Sequence, residues 1–354
     1  MDWATTRSVN HLDPHRPLAL KKCMKAILMT TAGEANVLKV ADIAEPQLSS
    51  PTEILVRLKA AGINPIDIKL RSRGTFHPDR LPSVLGCDGA GMVEAIGAAV
   101  TRFKVGDAVY FCNGGLGGHQ GNYAELTTID EKFAAHKPQS LSFEEAAAAP
   151  LVLITAWEAL YDRARLQANH HVLIHAGAGG VGHVAIQLAN IKGAKVCTTV
   201  GSEAKARFVR DLGAELAIAY KQVDFVQAAI AWTKGKGVDI AFDTVGGKLI
   251  EQTFAAVSIY GDLVTILEPP ADLSWKVART RNLRFSLELM LTPMLMGDVD
   301  LQIQQAQVLK ECAELFDQGK LKIHVSEVFK LEDAAKAHQL LESGSMTGKL
   351  VLAI

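Results

Sequence analysis

The residues best placed to do chemistry cluster in 170–189, HHVLIHAGAGGVGHVAIQLA, and in the stretch that follows to Val200. A run of β-formers over 172–176 leads into Gly177, Gly179 and Gly182, which fill the pattern Gly-x-Gly-x-x-Gly. Val184, Ala185, Ile186, Leu188 and Ala189 then recur at helical spacing, and a second β run covers 194–200. In a strand–turn–helix–strand context the three glycines have separate tasks. The first makes the tight turn, the second lets the backbone approach a pyrophosphate, and the third lets helix and strand pack closely. Free N–H groups and partial positive charge at the helix start complete an anion site. The stretch predicts a dinucleotide site; a purely structural glycine turn is the alternative.

Which dinucleotide depends on the tip of the second strand. A site for NAD usually carries Asp or Glu there, bonded to the ribose 2′-hydroxyl. This strand ends Thr198-Thr199-Val200-Gly201-Ser202, with Glu203 just beyond and Lys205 and Arg207 close behind. A small polar end with cations nearby suits a 2′-phosphate, which a carboxylate would repel. Ser202 and Lys205 are the candidate contacts and NADP the expected cofactor. The competing reading is a solvated helix start with Glu203 in its first turn.

The rest of the chain must position this site. Its 354 residues are 49% hydrophobic, enough for two domains with their own cores, and its formal charge of −1 argues against a nucleic-acid or membrane-surface partner. Cys23, Cys87, Cys112, Cys197 and Cys312 are dispersed without a C-x-x-C spacing, which suggests reduced thiols and a cytoplasmic protein. Residues 1–22 lack the apolar run of a signal peptide and read as a loose extension. The longest apolar stretch, 146–160, is interrupted by Pro150 and Glu158 and is too short to span a bilayer.

From Met24 onward short strands alternate with turns: 25–30, 37–40, a clearly alternating 53–61, 92–96 and a strand after the turn at Gly106. Their close spacing suggests a compact β-barrel. An Ala-rich helix begins after Ser142, with a break at Pro150 and a second helix over 155–165. Asp67 and Arg71 could form an ion pair at a helix start. Six strands then alternate with helices, at 172–176, 195–200, 216–219, 238–242, 261–267 and 283–289, as a doubly wound sheet requires. A long amphipathic helix over 301–318, β character over 320–329, a helix over 331–343 and a strand over 349–354 close the chain. The expected division is an extension over 1–22, a barrel domain over 23–149 to which 301–354 returns, and a dinucleotide-binding domain over 150–300.

Several separated stretches, AAGINPIDIKLR (60–71), LGCDGAG (85–91), KVGDAV (104–109), PLVLITAW (150–157), the glycine turn, DTVGG (243–247) and GKLVL (348–352), make the chain resemble the zinc-free quinone oxidoreductase branch of the medium-chain dehydrogenase/reductase superfamily. The resemblance covers nearly all of 24–354. It implies an α/β protein with a GroES-like β-barrel catalytic domain and a six-stranded parallel Rossmann domain. It also implies hydride transfer from NADPH to quinones or electron-poor enones, and a homodimer formed through the edge strand near 283–289.

Zinc-dependent relatives carry a cysteine where this chain has Asn64 and a His-Glu pair where it has Cys87-Asp88; they also have a four-cysteine lobe where it reads NGGLGGHQGN. Catalytic zinc needs three N, S or O ligands and an open position. Asn64 is a poor ligand, and a buried core cysteine is the simpler reading of Cys87 than a site with Asp88 and His119. No metal is expected.

The resemblance puts Asn64 and Thr155 beside the nicotinamide, and Gly179, Gly180 and Val181 at the pyrophosphate. Ser202, Lys205 and Tyr220 fall around the 2′-phosphate, Val245 on the adenosine side, and Leu267 on the nicotinamide side. Lys349 would reach the cofactor from the other domain. Lys69 stands near a tyrosine of many relatives; it either stabilises an enolate or phenolate oxygen or is a solvated lysine. A zinc-dependent alcohol dehydrogenase and a non-catalytic, crystallin-like NADPH-binding protein remain the alternatives.

Overall fold

The computed structural model describes residues 22–344 and 346–354, so the expected extension over 1–22 lies, Lys22 apart, outside the described residues. The alternation at Ile54, Val56 and Leu58 does what a period of two predicts: all three side chains are buried on one face. Their strand, Glu53–Ile63, is the spine of a seven-stranded sheet. Along one edge it pairs antiparallel with Asp88–Ile96. Along the other it takes Leu126–Asp130 beside its first half and Lys349–Ala353 beside its second. The last strand of the chain is thereby built into the N-terminal sheet, with Val325–Lys330 parallel outside it. A smaller sheet, Leu38–Ala44, Cys23–Met29 and Ser83–Val84, joins through a bridge between Ala26 and Ala124.

The six-stranded sheet is parallel throughout. Its order is Leu216–Ala219, Lys195–Val200, His171–Ile174, Val238–Asp243, Val257–Thr265, Arg284–Leu287. The winding reverses between His171–Ile174 and Val238–Asp243, and in open α/β sheets the crevice beyond the strand ends at that reversal is where ligands bind. The glycine turn follows the first of these two strands.

Between the sheets lies the Ala-rich connection. Ser142 caps Phe143–Ala148 with a capping box to Glu145. The helix lies against Glu53–Ile63 so closely that a Cβ on Gly62 would stand 2.3 Å from the Ala147 carbonyl oxygen. The second helix corrects the expectation over 155–165. It runs Pro150–Trp157, because proline at a first helical position gives up no intrahelical donor and starts a helix. Beyond it Glu158–Arg163 forms a widened π turn, with the Ala164 N–H donating to the Ala159 carbonyl at 3.0 Å. One apolar core runs from the barrel through these helices to Gly180–Ile191. A second core lies on the far face of the six-stranded sheet, where Phe225, Phe254 and Leu263 meet. The helix Val299–Asp317 crosses the junction, where Tyr110 donates its hydroxyl proton to the Leu309 carbonyl. The β character expected over 320–329 is confined to Val325–Lys330, and that over 37–40 becomes Leu38–Ala44.

Among the described residues no helix is long and apolar enough to cross a membrane.

Candidate active site

Steric contacts give the glycines distinct roles. A Cβ on Gly177 would lie 2.0 Å from Thr198 Oγ1, and one on Gly182 would lie 2.4 Å from the Ala176 carbonyl oxygen. These two glycines are packing requirements. A Cβ on Gly179 would meet only the Ala176 oxygen, at 3.2 Å, so this glycine faces open space. Ala176 takes the left-handed conformation, φ 51°, as the chain enters the turn. The Gly348 N–H donates to the Ala178 carbonyl at 2.8 Å and ties the C-terminal strand to the turn. His183 is buried beneath it, and burial pushes it down to about 4, so the ring is neutral. Its Nδ1 lies 2.9 Å from the Gly179 carbonyl oxygen, and its Nε2 accepts the His324 N–H at 3.2 Å.

A cleft of about 440 Å³ opens between the sheets at this turn. Asn64, Lys69 and Lys349 line it from the barrel; Thr155, the turn 179–182 and Leu267 line it from the other side. A second cleft, about 460 Å³, shares Ala176 and Gly179 with the first and continues to Ser202, Lys205, Tyr220 and Lys221. Among the described residues no carboxylate lines it. Glu203 turns outward instead and meets Arg210 at 3.3 Å. Burial lowers the Lys205 pKa, and the charge of Lys221 lowers it further, so two cations face one cleft. Ser202 also caps Glu203–Asp211, accepting the Lys205 N–H at 3.3 Å.

The floor of the main cleft is polar and buried. Lys349 donates from Nζ to the Ile63 carbonyl at 2.9 Å and to Asn64 Oδ1, and lies 3.8 Å from Asp88 Oδ2. Asn64 Nδ2 donates to that same Asp88 oxygen at 2.9 Å, while the Leu151 N–H donates to Asp88 Oδ1 at 2.9 Å. Burial pushes Asp88 up and Lys349 down, and the attraction between them opposes both shifts. Behind Asn64, Asp67 accepts the Asn64 N–H at 2.8 Å and the Tyr123 hydroxyl at 3.0 Å; burial pushes it up to about 7. The expected Asp67–Arg71 pair does not form. Asp67 is committed to the helix cap and to Tyr123, and Arg71, also buried, reaches Glu342.

The candidate residues thus separate into groups. Asn64, Lys69, Thr155, Gly179, Gly180, Val181, Gly182, Leu267 and Lys349 converge on the main cleft, and Ser202, Lys205 and Tyr220 on the second. Gly177 supports the turn from behind. Val245, expected on the adenosine side, is 48% exposed on the loop after Val238–Asp243, where its N–H donates to Asp243 at 3.0 Å. Lys349 does reach the cleft, but its ammonium is held by Asn64 and the Ile63 carbonyl while its stem packs on Gly180. Reasoning from sequence missed Lys221, which the tip of Leu216–Ala219 presents beside Tyr220 and which that position could have flagged. It also missed Thr244, which the DTVGG stretch could have flagged, and Glu288, whose place in the main cleft carries no local signal. Among the described residues no three His, Cys, Asp or Glu side chains are grouped so as to hold a metal.

Two family models match: an alcohol dehydrogenase GroES-like domain over residues 50–139 and a zinc-binding dehydrogenase domain over 212–352. A quinone oxidoreductase of Pseudomonas aeruginosa is 34% identical over 328 residues, 93% of this chain and 99% of that protein. The chain belongs to the quinone oxidoreductase branch of the medium-chain dehydrogenase/reductase superfamily. Solved structures agree. An alcohol dehydrogenase superfamily protein from Novosphingobium aromaticivorans aligns with a TM-score of 0.85 at 34% identity, covering 94% of this chain and 99% of its own. The Escherichia coli quinone oxidoreductase complexed with NADPH aligns at 0.82 and 30% identity, covering 93% and 100%. The branch is one of oxidoreductases, and the GroES-like and Rossmann pairing expected from sequence is the architecture observed.

Proposed function

We propose that this chain is an NADPH-dependent oxidoreductase that delivers hydride to a quinone or an electron-poor enone without catalytic zinc. The observation that carries the reading is the continuity of the two clefts: a glycine-floored channel leads from the paired cations Lys205 and Lys221 to the buried group Asn64, Lys349 and Asp88. The neighbour solved with NADPH supports the choice of cofactor.

The residues present fit a dinucleotide. Gly179 leaves room where a pyrophosphate approaches, and the helix Gly180–Ile191 offers its first N–H groups there. The pocket free of carboxylates takes a 2′-phosphate, with Ser202 and Tyr220 beside the two lysines. A bound reduced nicotinamide would supply the hydride. The protein's share is to hold the reacting partners in a cleft that excludes water and to meet developing negative charge with fixed donors. Asn64 has one amide hydrogen committed to Asp88, and its oxygen is held by Lys349, so its second amide hydrogen is the donor offered to an acceptor oxygen. Thr155 Oγ1 donates to the Leu151 carbonyl at 2.7 Å, which leaves its lone pairs toward the cleft.

The same group fits zinc poorly. Asn64 is an amide already engaged at both ends, and a buried lysine ammonium stands beside Asp88, the nearest carboxylate. A metal cation would have to displace or neutralise that ammonium.

A homodimer belongs to this reading. Arg284–Leu287 is the outer strand of the six-stranded sheet, with Leu287 55% exposed and Leu289 beside it, an edge that invites pairing with a second copy. Light scattering at the mass of one chain would exclude it.

The test of function is oxidation of NADPH and NADH against a panel of quinones and enones, with and without a chelator. Faster turnover with NADPH, unaffected by the chelator, is expected. Loss of activity on chelation would replace the reading with a zinc-dependent dehydrogenase. Tight NADPH binding without turnover of any acceptor would replace it with a binding protein.

A further inference from the structure

The proposed reaction, on which this inference rests, adds hydride to an acceptor and leaves an anion that needs a proton. The main cleft has an acidic wall that the reading so far does not use. Glu288 lines it from just beyond the edge strand Arg284–Leu287, and at 3% exposure is almost wholly buried. The Arg163 guanidinium, on the π turn, donates to Glu288 Oε2 from Nε at 2.9 Å. Glu158 opens the same π turn, one residue past the helix carrying Thr155, and its carboxyl stands close enough to that of Glu288 for Glu288 to raise its pKa. Gln305, on the crossing helix Val299–Asp317, donates from Nε2 to Glu158 Oε1 at 2.9 Å and to the Met290 carbonyl at 2.7 Å. π turns inserted into helices recur at functional sites; this one brings Glu158 and Arg163 to the same carboxylate.

We propose that Glu158 and Glu288 hold one proton between them and that Glu288 passes it to the anion formed by hydride transfer in the cleft. Two carboxylates in contact cannot both ionise cheaply, so one proton stays with the pair. Arg163 fixes Glu288 as the charged partner, which leaves the proton resting on Glu158. The groups facing the pair are Arg163 and Asp162 on the π turn and neutral Gln305 on the crossing helix. Burial and then Glu288 push Glu158 up to about 8, which keeps the pair loaded at neutral pH.

The step balances. The reduced nicotinamide gives its hydride to the acceptor carbon. The O–H bond of Glu158 breaks as its proton moves to Glu288, whose new O–H bond breaks in turn as the proton bonds to the acceptor anion. The pair, left with two negative charges, takes a proton back from solvent at half-buried Glu158. Glu288 is the catalytic residue and Glu158 the positioning residue that loads it.

Glu158→Gln and Glu288→Gln keep the shape of a carboxyl and its hydrogen-bonding capacity but remove the transferable proton. The wild-type kcat on an enone is expected to be level at low pH and to fall above about pH 8; both variants lose about 10²-fold at neutral pH and lose that limb. NADPH affinity stays within about twofold. An activity-independent readout accompanies this: a difference infrared spectrum of the protein alone, between neutral and alkaline pH, carries a protonated-carboxyl component, beside that of buried Asp67, that is lost in Glu158→Gln. A surviving limb with undiminished kcat in either variant, or no such component in the wild type, overturns the inference and leaves the proposed function standing. No turnover of any acceptor by the wild type overturns both.

Discussion

The cofactor reading rests on two lysines, and removing them tests it directly. Lys205 is half-buried and Lys221 exposed, and both line the second cleft beyond Gly179 together with Ser202 and Tyr220. Two unit charges about 4 Å apart in water interact by about 1 kcal/mol. A phosphate monoester carries between about 1.5 and 2 negative charges at neutral pH, so each lysine contributes about 1 to 2 kcal/mol toward a 2′-phosphate. Half-buried Lys205 lies at the upper end of that range and exposed Lys221 at the lower. Lys205→Ala is therefore expected to weaken NADPH binding about 20-fold, Lys221→Ala about 5-fold, and the double variant on the order of 10²-fold. NADH, which lacks the phosphate, should shift by less than about twofold in all three. Fluorescence titration of each nucleotide at low and at about 0.15 M salt reads the effect. Raising salt should narrow the gap between wild type and variants, because exposed charges are screened over about 8 Å at that ionic strength. A double variant with NADPH affinity unchanged within about threefold, or with NADH weakened in parallel, would refute the electrostatic argument. The carboxylate of Glu203, now turned to Arg210, would then be the group to examine.

Three further outcomes follow from the same geometry. Gly182→Ala drives a Cβ against the Ala176 carbonyl and should cost about 1 to 3 kcal/mol in urea denaturation, whereas Gly179→Ala should fold normally yet bind dinucleotide at least about tenfold more weakly. Equal stability of the two variants would contradict the division of roles. Lys349→Met leaves Asp88 buried without its cation and should lower stability by about 3 to 5 kcal/mol; adding Asp88→Asn should recover most of this, and a single variant as stable as wild type would rule the pairing out. His175, wedged between Thr199 and Thr253 and pushed down to about 4 by burial, stays neutral in the folded protein, while in the unfolded chain it titrates near its usual value of 6.5. Its contribution is complete above pH 6.5 and is lost as pH falls toward 4. Because buried Asp67 pulls in the opposite direction, the readout is the stability difference between wild type and His175→Gln. That difference should move by about 3 kcal/mol in the variant's favour between pH 7.5 and 4, and a constant difference would refute it.

What was legible in the sequence is what local physics writes there. The glycine turn needs small residues at fixed offsets, the strand Glu53–Ile63 needs a period of two, and Ser142 and Glu145 form their cap within one turn; each signal lies within a few residues of its effect. The absence of an acid at the tip of Lys195–Val200 is equally local, and Ser202 and Lys205, with Tyr220, line one cleft. Errors arose where a side chain chooses between distant partners. Asp67 and Arg71 are one helical turn apart, yet the first is held by its local cap to Asn64 and by Tyr123, and tertiary packing gives the second to Glu342. Pro150 breaks a helix only in the sense that it starts the next one.

The sequence by itself determined most of the secondary elements and the steric demands of the glycine turn, because backbone sterics and hydrophobic period act between near neighbours. Only the tertiary structure decided the chemistry of the cleft walls. Lys349 reaches Asn64 because the last strand pairs with Glu53–Ile63, and Glu158 meets Glu288 because a π turn and an edge strand converge. Burial is the physical reason: the same carboxyl or ammonium that would be a solvated charge on a surface becomes, once desolvated among specific partners, a group that holds or releases a proton.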